Sequence, residues 1–262
     1  MSDGETFEFP KLYSELATYY DRLEKQYRNY PKEADWIVRM IENRCANDVL
    51  DLSCGTGTHL SLLRERVPKL KFVGMDASKE MVNLARKKLQ DHVPLIMADF
   101  LHLPLQKECF DVALCLYWSI AGLNDTLVSK LFTQAAAGLR EGGLLILDTE
   151  NADGIKENLL NAPFIDAFFQ IPEENLLIIR ANFSTKSKPN IVDWRSYYII
   201  EEGGIAGLRT DRMNLRFYSR KNLESLLRNA GFSRIEAFSG PGEPLVENSP
   251  SLYFVAEKKD TG

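Results

Sequence analysis

Four places along the chain put an acid or small residues straight after a short apolar run. The first reads Asp51-Leu52-Ser53-Cys54-Gly55-Thr56-Gly57-Thr58-His59. Ser53, Gly55 and Gly57 are small enough to let a ligand touch the backbone. A helix beginning just after them would offer unpaired N–H groups and a partial positive charge, which suits a carboxylate or a phosphate. The second is Asp76, whose carboxylate can accept hydrogen bonds from both hydroxyls of a ribose. The third is Asp99-Phe100, an acid for an adenine amino group beside an apolar residue for its ring. The fourth is Leu116-Tyr117-Trp118-Ser119, where aromatic residues close an apolar run. Taken singly, each has a plain structural reading: a tight turn, an acid at a helix start, a loop acid, packing. Taken in order, they predict an adenosine site.

The glycine pattern selects among adenosine compounds. A dinucleotide fingerprint needs G-x-G-x-x-G or G-x-G-x-x-A, and here Leu60 stands at the third position. The loop instead reads acid-x-small-x-Gly-x-Gly, led by Asp51. Asp51 can receive an ammonium directly or through water, while the helix start receives a carboxylate. S-adenosylmethionine carries both groups together with ribose and adenine. The predicted cofactor set is Asp51, Ser53, Cys54, Gly55, Gly57, Asp76, Ala77, Met81, Asp99, Phe100 and Leu116, with the Ser53–Gly57 loop for the methionine end, Asp76 for ribose and Asp99 for adenine.

These residues need elements to hold them. Apolar runs at Asp48–Leu52, Phe72–Met75, Leu95–Ala98, Phe110–Leu116 and Leu144–Asp148 read as strands, with amphipathic helices between them. Ser78 caps one helix, and another runs from Asp125 to Leu139 and stops at Gly142-Gly143. Alternation of this kind predicts an α/β, doubly wound, Rossmann-like sheet with right-handed crossovers. Ligands then bind beyond the carboxyl ends of its strands, where all four stretches fall. Leu12–Arg44 is helical, divided by Pro31. After Asp148 three strands follow without long helices, at Leu176–Ser184, Ile191–Glu201 and Leu208–Tyr218. Phe232–Phe238 and Leu252–Glu257 close as an antiparallel hairpin. The expectation is one domain over 1–262: a seven-stranded, mostly parallel sheet with a final antiparallel strand, an N-terminal helical cap at 1–45 and a β-rich, substrate-side insertion at about 150–217.

Composition bounds the function. Hydrophobic residues at 45% and charged residues at 26% exclude a disordered chain. A net charge of −5 argues against a general nucleic-acid binder. The longest basic run, Arg86-Lys87-Lys88, reads as a solvated helix face. No run approaches the roughly 18 apolar residues of a spanning helix, and Met1–Pro10 does not read as a secretory signal, so a cytoplasmic protein is expected. Cys45, Cys54, Cys109 and Cys115 form no CxxC pair, which fits reduced thiols and no zinc site.

The chain resembles the class I S-adenosylmethionine-dependent methyltransferases from about Tyr13 to Lys258. The matching stretches are Val49–His59, Phe72–Ser78, Ala98–Phe100, Phe110–Val112 and Gly142–Leu144. Tyr19-Tyr20-Asp21, Tyr30–Glu33, Phe217–Ser219 and Ala230–Phe232 resemble a narrower group, the small-molecule enzymes that include sugar-amine N-methyltransferases. That resemblance implies that Tyr20 and Tyr30 contact the cofactor. One departure is Ser53, where many relatives have glycine.

Methyl transfer needs positioning and exclusion of water more than a dedicated catalytic group. The stretch Leu116–Ser119 lacks the Asn/Asp-Pro-Pro-aromatic motif of base-amine enzymes, paired glutamates, and an acid for Mg²⁺. The expected activity is methyl transfer to a small-molecule acceptor, with nitrogen favoured on the resemblance alone. Tyr117 and Tyr20 are the candidates for orienting the acceptor. His59 is read as a base or as a packed residue at a helix start. Asp148 and Glu150 are read either as loop acids or as acceptor contacts. In the insertion, Trp194, Ser196 and Tyr198 should share one face with Arg195 and Tyr197 opposite. Arg212, Asn214 and Arg216 share a face that could hold an anion or pair with Glu201 and Glu202. The alternatives are an NAD-dependent oxidoreductase and a non-catalytic S-adenosylmethionine-binding or scaffold protein. Oligomeric state is not legible.

Overall fold

The computed structural model describes residues 10–42, 44, 46–99, 106–154 and 163–260. Its main sheet is built from β1 (Asp48–Asp51), β2 (Lys71–Asp76), β3 (Leu95–Met97), β4 (Phe110–Cys115), β5 (Leu139–Glu150), β10 (Phe232–Phe238) and β11 (Ser251–Lys258). The strand order is β10-β11-β5-β4-β1-β2-β3. The pairs among β1 to β5 are parallel, and β11 alone runs against its neighbours. This is the expected doubly wound sheet with a final antiparallel strand. The order reverses between β1 and β4, so a crevice opens beyond their carboxyl ends.

Alternation along each strand feeds two cores. Leu50, Ala113, Cys115, Leu145 and Leu147 pack under α5 (Asp125–Gly138) and α6 (Arg220–Asn229). Val49, Val112, Leu114, Leu144 and Ile146 pack under α2 (Tyr30–Glu42), α3 (Thr58–Arg66) and α4 (Lys79–Leu89). Pro31 lies in the first turn of α2, where its missing N–H leaves no bond unmade. The chain before it is less helical than its periodicity predicts. Two 3₁₀ turns, Lys11–Tyr13 and Ala17–Tyr19, precede the short α1 (Tyr20–Glu24). The apolar residues that gave that periodicity are used in tertiary packing instead.

Two further boundaries differ. The fifth helix ends at Gly138, and β5 starts at Leu139 rather than Leu144. Gly142-Gly143 therefore does not stop the helix. Gly142 supplies a φ of +69° within β5, where the register with β4 slips between Phe110 and Val112.

The insertion is a four-stranded antiparallel sheet: β6 (Phe164–Ile171), β7 (Leu176–Lys188), β8 (Ile191–Glu202) and β9 (Ile205–Arg216), in that order. Three strands were expected; β6 was not. A bulge between Ile165 and Ala167 breaks its period of two and hides it in the sequence. The inner face packs Ala167, Leu176, Ile178 and Tyr198 against Leu12, Leu16 and Leu23 of the N-terminal segment. No described helix is long and apolar enough to cross a membrane.

Candidate active site

Asp51 ends β1 almost fully buried, at 2% exposure. Its Oδ1 accepts the Ser53 backbone N–H at 3.1 Å, and burial pushes the carboxyl up to about 6 against the pull of His59 and that hydrogen bond. The turn that follows needs its glycines: Gly55 and Gly57 have φ of +52° and +78°. A side chain at Gly57 would meet Leu89 Cδ1 at 3.0 Å and Ala85 Cβ at 3.2 Å, because the turn is pressed onto α4. A side chain at Gly55 would meet nothing within 4 Å. The open side of the turn is therefore at Gly55. Cys54 is buried, with its N–H on Met75 O at 2.8 Å and its thiol pushed up by burial. Ser53 Oγ accepts from Ser119 Oγ at 2.8 Å, joining the ends of β1 and β4.

Asp76 faces the same turn. Its Oδ2 accepts the Gly55 N–H at 2.8 Å and its Oδ1 the Ser78 N–H at 2.9 Å. Burial raises this carboxyl; hydrogen bonds from the Ser78, Gly55 and Ala77 backbone offset part of the effect. Each oxygen keeps a lone pair for a further donor. Ser78 caps α4 by accepting the Met81 N–H at 3.2 Å. Met81 and Leu116 are buried, Ala77 is half-buried, and Asp99 is exposed just beyond β3. Phe100 lies outside the described residues.

Over these carboxylates sits a group of tyrosines. Ring centroids are 5.9 Å apart for Tyr13 and Tyr20, 6.1 Å for Tyr20 and Tyr117, and 6.4 Å for Tyr30 and Tyr117. Burial raises all four phenols, so they stay neutral hydrogen-bonding groups at pH 7. Tyr117 and Trp118 both adopt positive φ, +64° and +56°, at the end of β4. Two successive non-glycine residues in this region are strained. The Tyr117 N–H on Asp148 Oδ1 and the Tyr117 hydroxyl on Glu24 hold them there.

His59 lies edge-on to Tyr30, with ring centroids 5.0 Å apart, and its Nε2 is committed to Glu33 Oε2 at 2.7 Å. Asp148 is fully buried and binds Arg28 Nη1 at 2.7 Å, whereas a solvated loop acid was one of its two readings. Arg28 also bridges to Glu33, which takes the Tyr253 hydroxyl at 3.2 Å. Burial raises Glu33, but His59 and Arg28 outweigh it and hold the carboxyl low. Glu150, at the carboxyl end of β5, is pushed up to about 7 by burial alone. Sequence reasoning missed Arg28, Glu33 and Glu24. An acid inside the apolar stripe Tyr30, Ala34, Ile37 was the available signal for Glu33.

Three charged side chains differ from expectation. Lys88 is not part of a solvated face: its Nζ reaches Asp21, Thr56 and Thr58 at 2.6, 2.9 and 2.6 Å, tying α1 to the glycine turn. Arg212 and Arg216 pair with Asp193 and Asp125 rather than with Glu201 and Glu202. Trp194, Ser196 and Tyr198 do share the inner face, with Tyr197 exposed on the other.

Residues 49–143, which span the glycine turn, Asp76, Asp99 and the end of β4, match a family described as "Methyltransferase domain". Those residues thus match a methyltransferase domain, and the fold around them is shared with solved S-adenosylmethionine-dependent methyltransferases. The chain is 26% identical over 258 residues to a putative methyltransferase, YqeM, of Bacillus subtilis, covering 95% of this chain and 98% of that protein. A solved S-adenosylmethionine-dependent methyltransferase from Clostridium acetobutylicum superposes with a TM-score of 0.80 at 20% identity, covering 95% and 99% of the two chains. The sugar N-methyltransferase KedS8 from Streptoalloteichus superposes with a TM-score of 0.77 at 22% identity, covering 99% of each.

Proposed function

We propose that this methyltransferase acts on a small-molecule amine, and that its cofactor lies across Asp51, the Gly55 turn and Asp76. The observation that carries the reading is the buried Asp51 and the half-buried Asp76 flanking the open side of Gly55. Asp51 makes no ion pair with a described lysine or arginine, and a substrate ammonium would supply a cation. S-adenosylmethionine brings a sulfonium-activated methyl group, which passes to the acceptor by in-line displacement.

The protein's part is placement. Asp51 and the backbone from Ser53 to Gly57 hold the amino-acid end. Asp76, with Ala77 and Met81 beside it, holds the ribose, and Asp99 and Leu116 flank the base. Tyr20, Tyr30 and Tyr117 wall the reacting atoms from water, and Tyr20 and Tyr117 orient the acceptor through neutral hydroxyls. His59 supports Tyr30 and Glu33 rather than reaching the acceptor. Nitrogen as the acceptor atom is favoured by the likeness to a sugar N-methyltransferase along the full chain. A cytoplasmic setting agrees with the free thiols at Cys54, Cys109 and Cys115.

The first test is calorimetric titration with S-adenosylmethionine, S-adenosylhomocysteine and NADH, followed by transfer of labelled methyl to a panel of amines and alcohols. Binding of NADH alone would overturn the cofactor assignment. Binding of both S-adenosyl compounds without turnover on any acceptor would favour a non-catalytic binder.

A further inference from the structure

Seven of the eleven large hydrophobic residues that stand exposed among the described residues lie on the insertion sheet. They are not scattered. On the outer face Phe168 pairs with Ile179, Ile179 with Ile199 and Ile199 with Leu208, an apolar row across all four strands. Phe168, Ile199 and Leu208 are 65%, 45% and 61% exposed. The next row holds Ile165, Ala181, Tyr197 and Thr210. The N-terminal segment packs on the opposite face, against Ala167, Leu176, Ile178 and Tyr198. Contiguous exposed apolar surface of this kind marks an interaction site.

Charge is divided between the two ends of this face. Along β8 the outward residues run Arg195, Tyr197, Ile199, Glu201. Arg195 stands beside Arg212 in the register, and the two share the carboxylate of Asp193, which leaves that end net positive. At the other end, Glu201 forms no ion pair with a described residue. The two charged rows flank the two apolar rows symmetrically. A two-fold axis running across the strands, between the Ile199 and Tyr197 rows, lays each Glu201 over Arg195 of a second copy and each Ile199 over Tyr197. An axis along the strands instead sets the arginine row on itself, and like charges facing each other oppose association.

We propose that a second copy of this chain covers this face, making a two-fold dimer whose insertion sheets pack outer face to outer face with their strands antiparallel. The charge pattern is self-complementary, so every contact occurs twice and the assembly closes at two copies. The size is sufficient. A four-stranded sheet about 19 Å wide, with strands about 40 Å long, offers roughly 750 Å² of face, against about 800 Å² taken from each partner in a standard interface. Two sheets stacked in this way form a sandwich with an apolar centre. The proposed cofactor residues lie on the main sheet, away from this face.

The test is sedimentation equilibrium of the full-length protein over a hundredfold range of concentration, where the parent should be a dimer. Ile199→Glu and Leu208→Glu each put an unpaired charge at the centre of the interface. Each should weaken association at least a hundredfold while the far-ultraviolet circular dichroism stays that of the parent, since both side chains point away from the core. Glu201→Arg and Arg195→Glu each set like charges against each other across the axis and should weaken association at least tenfold. The double variant carrying both changes restores opposite charges there and should recover the association of the parent. A parent that is monomeric throughout, or a dimer that survives Ile199→Glu and Leu208→Glu, overturns the inference. So does a double variant no tighter than either single one. None of these outcomes bears on the methyl-transfer reading, which the cofactor titration tests separately.

Discussion

The backbone N–H of Tyr117 donates to Oδ1 of Asp148 at 2.5 Å, across the adjacent ends of β4 and β5. The same carboxylate takes Arg28 from the segment before α2, whose guanidinium lies 4.7 Å from the Tyr117 ring centroid. One buried acid therefore fixes both the strained end of β4 and the N-terminal segment above it. Replacing Arg28 by methionine should leave Asp148 buried without its cation and Glu33 with only His59 and Tyr253. Losing one partner of a buried ion pair costs about 3–5 kcal/mol. Urea unfolding at pH 7 should show a loss of that size for Arg28→Met. A loss under about 1 kcal/mol would mean that the network contributes little to holding the segment down.

Asp76 contributes its carboxylate both to the turn and to the proposed ribose site. Asp76→Ala should lower S-adenosylhomocysteine affinity at least a hundredfold, since it removes two charge-assisted hydrogen bonds worth about 1.5–3 kcal/mol each. Asp76→Asn keeps one acceptor and should lose less. Calorimetry decides: affinity within threefold of the parent for Asp76→Ala would remove this residue from the site.

The parts of this molecule legible in sequence are the local ones. A strand end, three small residues and an acid lie within a few positions of each other from Asp51 to Gly57, so their joint geometry follows from a turn. Ser78 as a cap is equally local. The network around Arg28 was not legible, because Arg28 and Asp148 stand 120 positions apart. Nothing in either neighbourhood marks the other. Strand β6 was hidden for a different reason: its bulge disrupts the alternation by which strands are recognised. The 3₁₀ turns before α1 show tertiary contacts overriding a helical pattern, since Leu12 and Leu16 are placed by the insertion sheet.

The two glycines of the turn should respond differently to alanine. Gly57→Ala meets both a φ of +78° and the Leu89 side chain at 3.0 Å. Strain of this kind costs about 1–3 kcal/mol, so Gly57→Ala should chiefly lose stability in thermal unfolding. Gly55→Ala meets no neighbour within 4 Å. Its methyl enters the open space beside the two carboxylates. Its φ of +52° still strains an alanine, so the variant should lose some stability, though less than Gly57→Ala, and lose S-adenosylhomocysteine affinity tenfold or more. Equal behaviour of the two variants in both measurements would contradict this division.

Asp51 makes both stability and binding depend on pH, in opposite senses. Its folded carboxyl is raised to about 6 from an ordinary 3.8, chiefly by burial. A raised acid favours the protonated form on folding, so its stabilising contribution is complete below about pH 4. That contribution is lost as pH climbs to 6, at a cost of about 3 kcal/mol at most. Asp51→Asn should flatten this part of the stability profile and make the ligand-free protein more stable at pH 7. A bound ammonium reverses the preference, because it favours the carboxylate. S-adenosylhomocysteine should therefore release a proton on binding at pH 5, seen as a buffer-dependent calorimetric enthalpy. Its affinity should fall up to about tenfold per pH unit below 6. Proton uptake, or an affinity constant from pH 5 to 7 in the parent protein, would place the amino group away from Asp51.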